Sequence, residues 1–187
     1  MNSLSVCILL ADGFEEAEAI IPADLLKRLG VKIIFAGVNS IDVRGTHNFH
    51  IKADNLIDNI SSNDFDALIL PGGLPGTINL RNSEKVINLV KHAYQNGKIC
   101  AAICAAPIVL RDAGVATDKH ITGYPNCEKL SYEPNFKFTG NSVEHDGSII
   151  TAKGMGKANE FAFEIARALN ISKEDILSVA KNTFIYE

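Results

Sequence analysis

Four short apolar runs, residues 4–11, 31–38, 65–70 and 99–103, recur along the chain and alternate with stretches patterned as helices. Runs of this length bounded by turn residues read as strands, and strands that alternate with helices point to a mostly parallel sheet covered by helices on both faces. The first run is followed by a polar turn at Asp12-Gly13 and a helical pattern that stops near Leu29-Gly30, where glycine is a natural helix end. Residues 83–95 read as another helix, Pro107 fits a first helical turn, and helices over about residues 157–169 and 173–182 close the chain. Residues 38–53 break the pattern: around Val43-Arg44-Gly45-Thr46-His47 they suggest short strands or a small hairpin away from the main order. Asp146-Gly147, flanked by residues 142–145 and 148–153, is a strong two-residue hairpin signal. With 187 residues and no repeat, low-complexity tract or linker, one domain is expected.

Composition narrows the function classes. A chain that is 47% hydrophobic and 21% charged is that of an ordinary soluble protein. A formal charge of -4 without a basic cluster argues against a nucleic-acid partner. Residues 4–11 are too short to span a bilayer and lack a preceding positive region, so they read as a strand and not as a signal or anchor. No membrane partner and a cytoplasmic location are the expectations. Cys7, Cys100, Cys104 and Cys127 show neither C-x-x-C nor metal-type pairing, so reduced thiols are expected. The histidines, His47, His50, His92, His120 and His145, lack a second ligand at helical or hairpin spacing, so neither a structural metal nor a cofactor is expected.

The chemistry concentrates at Cys104. It ends the apolar run 99–103, which has the polarity of a strand buried on both faces, and it precedes the helix signalled by Pro107. Small neighbours, Ala101, Ala102, Ala105 and Ala106, allow a sharp bend that pushes one side chain out at the carboxyl end of the sheet. A thiol there faces a helix N-terminus and unpaired N–H groups, which predicts a pKa well below that of free cysteine. Cys7 and Cys100 read instead as small core residues.

Ligands of an open parallel sheet collect beyond the carboxyl ends of its strands. Residues 12–18, 71–76 and 104–107 all arrive there. Glu18 shares a helical stripe with Ile21, Pro22, Leu25 and Leu29 and should face inward, whereas Glu16 points roughly opposite. A carboxyl drawn into an apolar pocket has a raised pKa and can shuttle a proton to a neighbouring thiol; a merely structural buried acid is the alternative. Glu15 and Glu16 are read as complementing the helix dipole. Gly72 and Gly73, with the N–H of Ala105, are candidates for holding a developing negative charge.

The strings Gly13-Phe14-Glu15-Glu16-Ala17-Glu18, Leu70-Pro71-Gly72-Gly73, Ala101-Ala102-Ile103-Cys104-Ala105-Ala106-Pro107 and Gly154-Met155-Gly156, in this order and spacing, resemble the ThiJ/PfpI superfamily. Within it they resemble the branch containing the Parkinson-disease protein deglycase and its bacterial relatives, over nearly the whole chain. The resemblance implies a flavodoxin-like three-layer α/β sandwich with a cysteine nucleophile elbow, and a homodimer. It implies Cys104 as nucleophile and Glu18 as its acid partner, with Gly73 and Ala105 offering N–H groups. Tyr124 stands where some members carry a histidine, which argues against a Cys-His triad and puts Tyr124 among the substrate-binding candidates with Gly72. His47 replaces an arginine that in relatives lies near the pocket and the dimer interface.

Three function classes compete. The first is a cofactor-independent enzyme acting on small reactive carbonyls such as methylglyoxal or glyoxal, either as a glyoxalase or as a deglycase. The second is an oxidative-stress sensor or redox-regulated chaperone working through oxidation of the same Cys104. A cysteine protease or amidase ranks last, because no base adjoins the cysteine.

Overall fold

The first apolar run becomes β1 (Ser5–Leu10), which has strand neighbours on both sides in a seven-stranded sheet. The computed structural model describes residues 3–125, 127 and 136–185. After β1 come α1 (Glu16–Arg28), β2 (Lys32–Gly37), the strands β3 (Asp42–Arg44) and β4 (His50–Lys52), β5 (Asn55–Leu56), β6 (Ala67–Leu70), α2 (Gly76–Arg81) and α3 (Glu84–Gln95). The second half gives β7 (Ile99–Ile103), α4 (Pro107–Asp112), β8 (His120–Ile121), β9 (Lys137–Phe138), β10 (Val143–Asp146), β11 (Ile149–Ala152), α5 (Ala158–Ala168) and α6 (Lys173–Asn182).

The sheet order is β10-β11-β7-β6-β1-β2-β5. Its five central strands run parallel, in the flavodoxin-like order 2-1-3-4-5 when counted along the chain. The exception is β10, which pairs antiparallel with β11; Asp146 still pairs with Ile149, so the turn is Gly147-Ser148, one residue later than the Asp146-Gly147 pair expected. The order reverses between β1 and β6. Loops leaving those two strands therefore diverge at the carboxyl edge and open a crevice beside the end of β7.

Alternation along each strand builds two cores. Val6, Ile8 and Leu10 of β1, with Ile69, Ala101, Ile103 and Ile150, pack under α1, α5 and α6. Cys7 and Leu9, with Leu68, Leu70, Cys100 and Ala102, pack under α2, α3 and α4. Each large side chain removed from water contributes about 1.5–3 kcal/mol, which explains why both faces of these strands are apolar. Ser83 caps α3 by accepting the Val86 N–H, and Ser172 caps α6 by accepting the Asp175 N–H. The irregular stretch 38–53 is indeed a small antiparallel hairpin, β3 with β4, set apart from the main sheet. The helix expected from residue 157 starts one residue later, after a 3-10 turn over Met155–Lys157.

Candidate active site

Cys104 follows directly on β7 and takes φ +64°, a left-handed conformation that costs a residue with a side chain about 1–3 kcal/mol. Backbone bonds hold it there. Its N–H donates to the Ala152 carbonyl at 2.9 Å, and its own carbonyl accepts the Tyr124 N–H at 2.7 Å. Two glycines make the fit possible: a Cβ on Gly123 would lie 2.8 Å from the Cys104 carbonyl oxygen, and one on Gly72 would lie 2.6 Å from Cys104 Cβ.

Glu18 lies in the first turn of α1 and is 1% exposed. Its Oε2 accepts the Gly72 N–H at 2.9 Å, and the carboxyl also accepts from the Met155 N–H and the Cys104 thiol. Burial outweighs these donors and pushes Glu18 up to about 7.

The thiol departs from the sequence expectation. Burial first, then the negative charge of Glu18 and the hydrogen bond to it, push Cys104 up to about 12. The N–H groups of Ala105 and Gly73 pull the other way and lose. The predicted helix contribution is small, because α4 is six residues long and starts only at Pro107. Cys104 and Glu18 are therefore one titrating unit that carries a single proton between those two values. Cys7 and Cys100 are also raised to about 12, by burial, but they are sealed in the core whereas Cys104 is partly exposed.

The structure brings all six candidates, Cys104, Glu18, Gly72, Gly73, Ala105 and Tyr124, to one edge of the sheet. Gly73 and Ala105 direct N–H groups at the sulfur. The Gly72 N–H is instead engaged by Glu18, so Gly72 serves the acid and not a developing oxyanion. Tyr124 is exposed at the rim of a pocket of about 420 Å³ that also contains Cys104 and Glu18. Glu15, Lys153, Met155 and Lys157 line the same pocket. Neither lysine carries a sequence signal, because an isolated lysine in a loop is ordinary; Met155 falls within the Gly154-Met155-Gly156 string, which marks the segment without assigning the side chain.

Glu16 opens α1, where its charge complements the helix dipole, and it is 8% exposed. Its carboxylate enters the β3–β4 loop, where Oε1 accepts the His47 N–H at 2.8 Å and Oε2 meets His47 Nδ1 at 2.9 Å. His47, which replaces the relatives' arginine, is thus engaged by a carboxylate of the chain itself.

Comparison with known proteins agrees with this fold. The model of the DJ-1/PfpI family matches residues 4–168, from β1 to the end of α5. Drosophila melanogaster protein dj-1beta is 39% identical over 98% of this chain and 98% of its own length. The crystal structure of Drosophila melanogaster DJ-1beta, at 38% identity, covers 100% of both chains with a TM-score of 0.93. A Caenorhabditis elegans protein named glutathione-independent glyoxalase is 30% identical over 88% of each chain. A Pyrococcus abyssi protein named a deglycase is 29% identical over 89% of this chain and 99% of its own. By the length of the matched segment and the similarity of relatives along it, the chain belongs to the DJ-1/PfpI family.

Proposed function

We propose that the protein is a cofactor-independent enzyme of glyoxalase or deglycase type that acts on small reactive carbonyls. The observation that carries this reading is the Cys104–Glu18 pair: a partly exposed thiol bonded to a carboxyl raised to about 7, with two backbone N–H groups at the sulfur. As the thiol proton passes through Glu18 to the aldehyde oxygen of methylglyoxal, a bond forms between sulfur and the aldehyde carbon. Glu18 then moves the hydrogen from that carbon to the neighbouring one while the hydroxyl proton shifts to the neighbouring carbonyl oxygen, which leaves a thioester of a hydroxy acid. Water cleaves the carbon–sulfur bond, releases lactate and restores the thiol. The N–H groups of Gly73 and Ala105 are suited to stabilising the oxygen that gains charge. Release of an early glycated amine would use the same pair.

Homodimeric assembly and a cytoplasmic location belong to the same proposal. Ile20 is 39% exposed on α1 and borders an apolar cleft of about 550 Å³ that also contains the exposed Phe184, a surface that a second copy would cover. Cys7, Cys100 and Cys104 are free thiols, which suits a reducing compartment. Among the described residues no helix is long and apolar enough to cross a membrane.

The test is product formation by chelator-treated protein without glutathione. Many equivalents of lactate per chain are expected, and none from Cys104→Ala. A yield that stops near one equivalent would contradict the enzyme reading and favour a sensor that merely captures the carbonyl.

A further inference from the structure

On the outer side of the α1 start, one imidazole nitrogen faces two carboxylates. His47 Nδ1 lies 2.9 Å from Glu16 Oε2 and 3.7 Å from Glu15 Oε1. A donor atom from each residue lies within 4.8 Å of the other two. Donors around a tetrahedral zinc ion at its usual bond lengths stand roughly 3.4 Å apart. The two measured separations bracket that value.

Backbone bonds position these donors before any ion arrives. Glu16 Oε1 takes the N–H groups of His47 at 2.8 Å and Phe49 at 3.4 Å, which leaves Oε2 for the ring. Gly45 gives the carboxylate its room, since a Cβ there would lie 2.2 Å from Oε1. The Glu15 N–H donates to the Gly72 carbonyl at 2.9 Å. At the same time the His47 side chain is 64% exposed, so an ion reaches it directly from solvent. The proton between Nδ1 and Glu16 Oε2 bridges two groups that are both metal ligands once it leaves. A cation that takes the place of this proton meets the Nδ1 lone pair and two negative carboxylates.

We infer that Glu15, Glu16 and His47 form a site for a divalent transition-metal ion of the zinc type. One imidazole nitrogen with two carboxylate oxygens suits zinc or copper(II), with water completing the shell, whereas magnesium and calcium prefer shells of oxygen alone. Sequence spacing conceals the site because Glu16 and His47 are 31 residues apart and lie on different elements. Glu15 also lines the Cys104 pocket, so the ion would sit at the edge of the reacting centre without using the thiol.

Calorimetric titration with zinc chloride tests this on Cys104→Ala protein, in which the thiol cannot serve as ligand. One equivalent should bind with Kd tighter than about 0.1 mM. His47→Ala and Glu15→Gln should each weaken it tenfold or more, while His92→Ala, at an exposed histidine on α3, leaves it unchanged. Circular dichroism confirms that each variant is folded; Glu16 is left intact because it also anchors the hairpin. Binding weaker than about 0.1 mM, or zinc binding that survives both substitutions, overturns the assignment.

Discussion

Glu16 and Glu18 stand two residues apart at the start of one helix, both nearly out of water, and their carboxyls are driven in opposite directions. At Glu16 burial pushes upward, but the His47 ring and the N–H groups of Glu16, His47 and Phe49 together hold the carboxyl below its ordinary value. At Glu18 burial prevails over the donors Gly72, Cys104 and Met155, and the nearby charge of Glu15 adds to it. Burial alone does not decide where a proton sits. The number of donors, and whether one of them is a histidine that can carry charge, decides it. One carboxylate becomes a clamp for a hairpin, and the other stays poised beside a thiol.

The largest separation between the two should be in turnover. Glu18→Gln keeps the shape and removes the exchangeable proton, so kcat/KM for methylglyoxal should fall roughly a hundredfold or more. Glu16→Gln should leave it within about tenfold, since Glu16 does not line the pocket. Equal losses would erase the distinction.

Stability should separate them with opposite sign. Folded Glu18 keeps its proton up to about 7, against an ordinary value of 4.5, so the stability tied to this group is complete below 4.5 and is lost as pH rises through about 7. Glu18→Gln should therefore be the more stable protein at pH 8, by up to about 3 kcal/mol, and the gain should vanish below pH 4.5. Glu16 behaves conversely: its contribution is present above the ordinary carboxylate range and fades as pH falls through its lowered value. Glu16→Gln should cost about 1–3 kcal/mol at neutral pH. Urea titrations at three pH values measure both.

A glycine sits against each carboxylate, which sharpens the contrast. A Cβ on Gly72 would lie 2.6 Å from Glu18 Oε2, and one on Gly45 would lie 2.2 Å from Glu16 Oε1. Either alanine substitution should destabilise by about 1–3 kcal/mol. Only Gly72→Ala should also depress turnover of the folded protein. The smallest effect concerns Ile20, one helical turn beyond Glu16 on the same face. Ile20→Glu should raise the dimer dissociation constant about tenfold, or 1.4 kcal/mol, in sedimentation. A wild-type monomer at micromolar concentration would remove the dimer from the account.

How legible each region is follows the range of its forces. Strand β7 has the boundaries its apolar run predicts, and α3 starts within one residue of expectation because Ser83 caps its N-terminus locally. The β10–β11 hairpin is also written in adjacent residues, with its turn one residue later than expected. By contrast α2, six residues after a proline–glycine turn, has too few turns for a periodic signal. Strands β8 and β9, two residues each, form only because residues 17 positions apart meet. At the site, the inward direction of Glu18 follows from helical spacing. The fate of Glu16 and the raised Cys104 thiol do not, because both depend on groups that the fold brings from elsewhere in the chain.

The most direct test of the one-proton pair is the alkylation rate of Cys104 against pH, read by mass spectrometry in wild type and Glu18→Gln. If the proton is shared, wild-type reactivity should rise in two stages, a small one as the pair loses its first proton near 7 and the main one only toward about 12. In Glu18→Gln a single rise should remain, with its midpoint below about 12, because the repelling charge is gone along with the shared proton. Cys7 and Cys100 should stay slow throughout. A single midpoint that is the same in both proteins would contradict the account, since it would mean that Cys104 ionises without reference to Glu18.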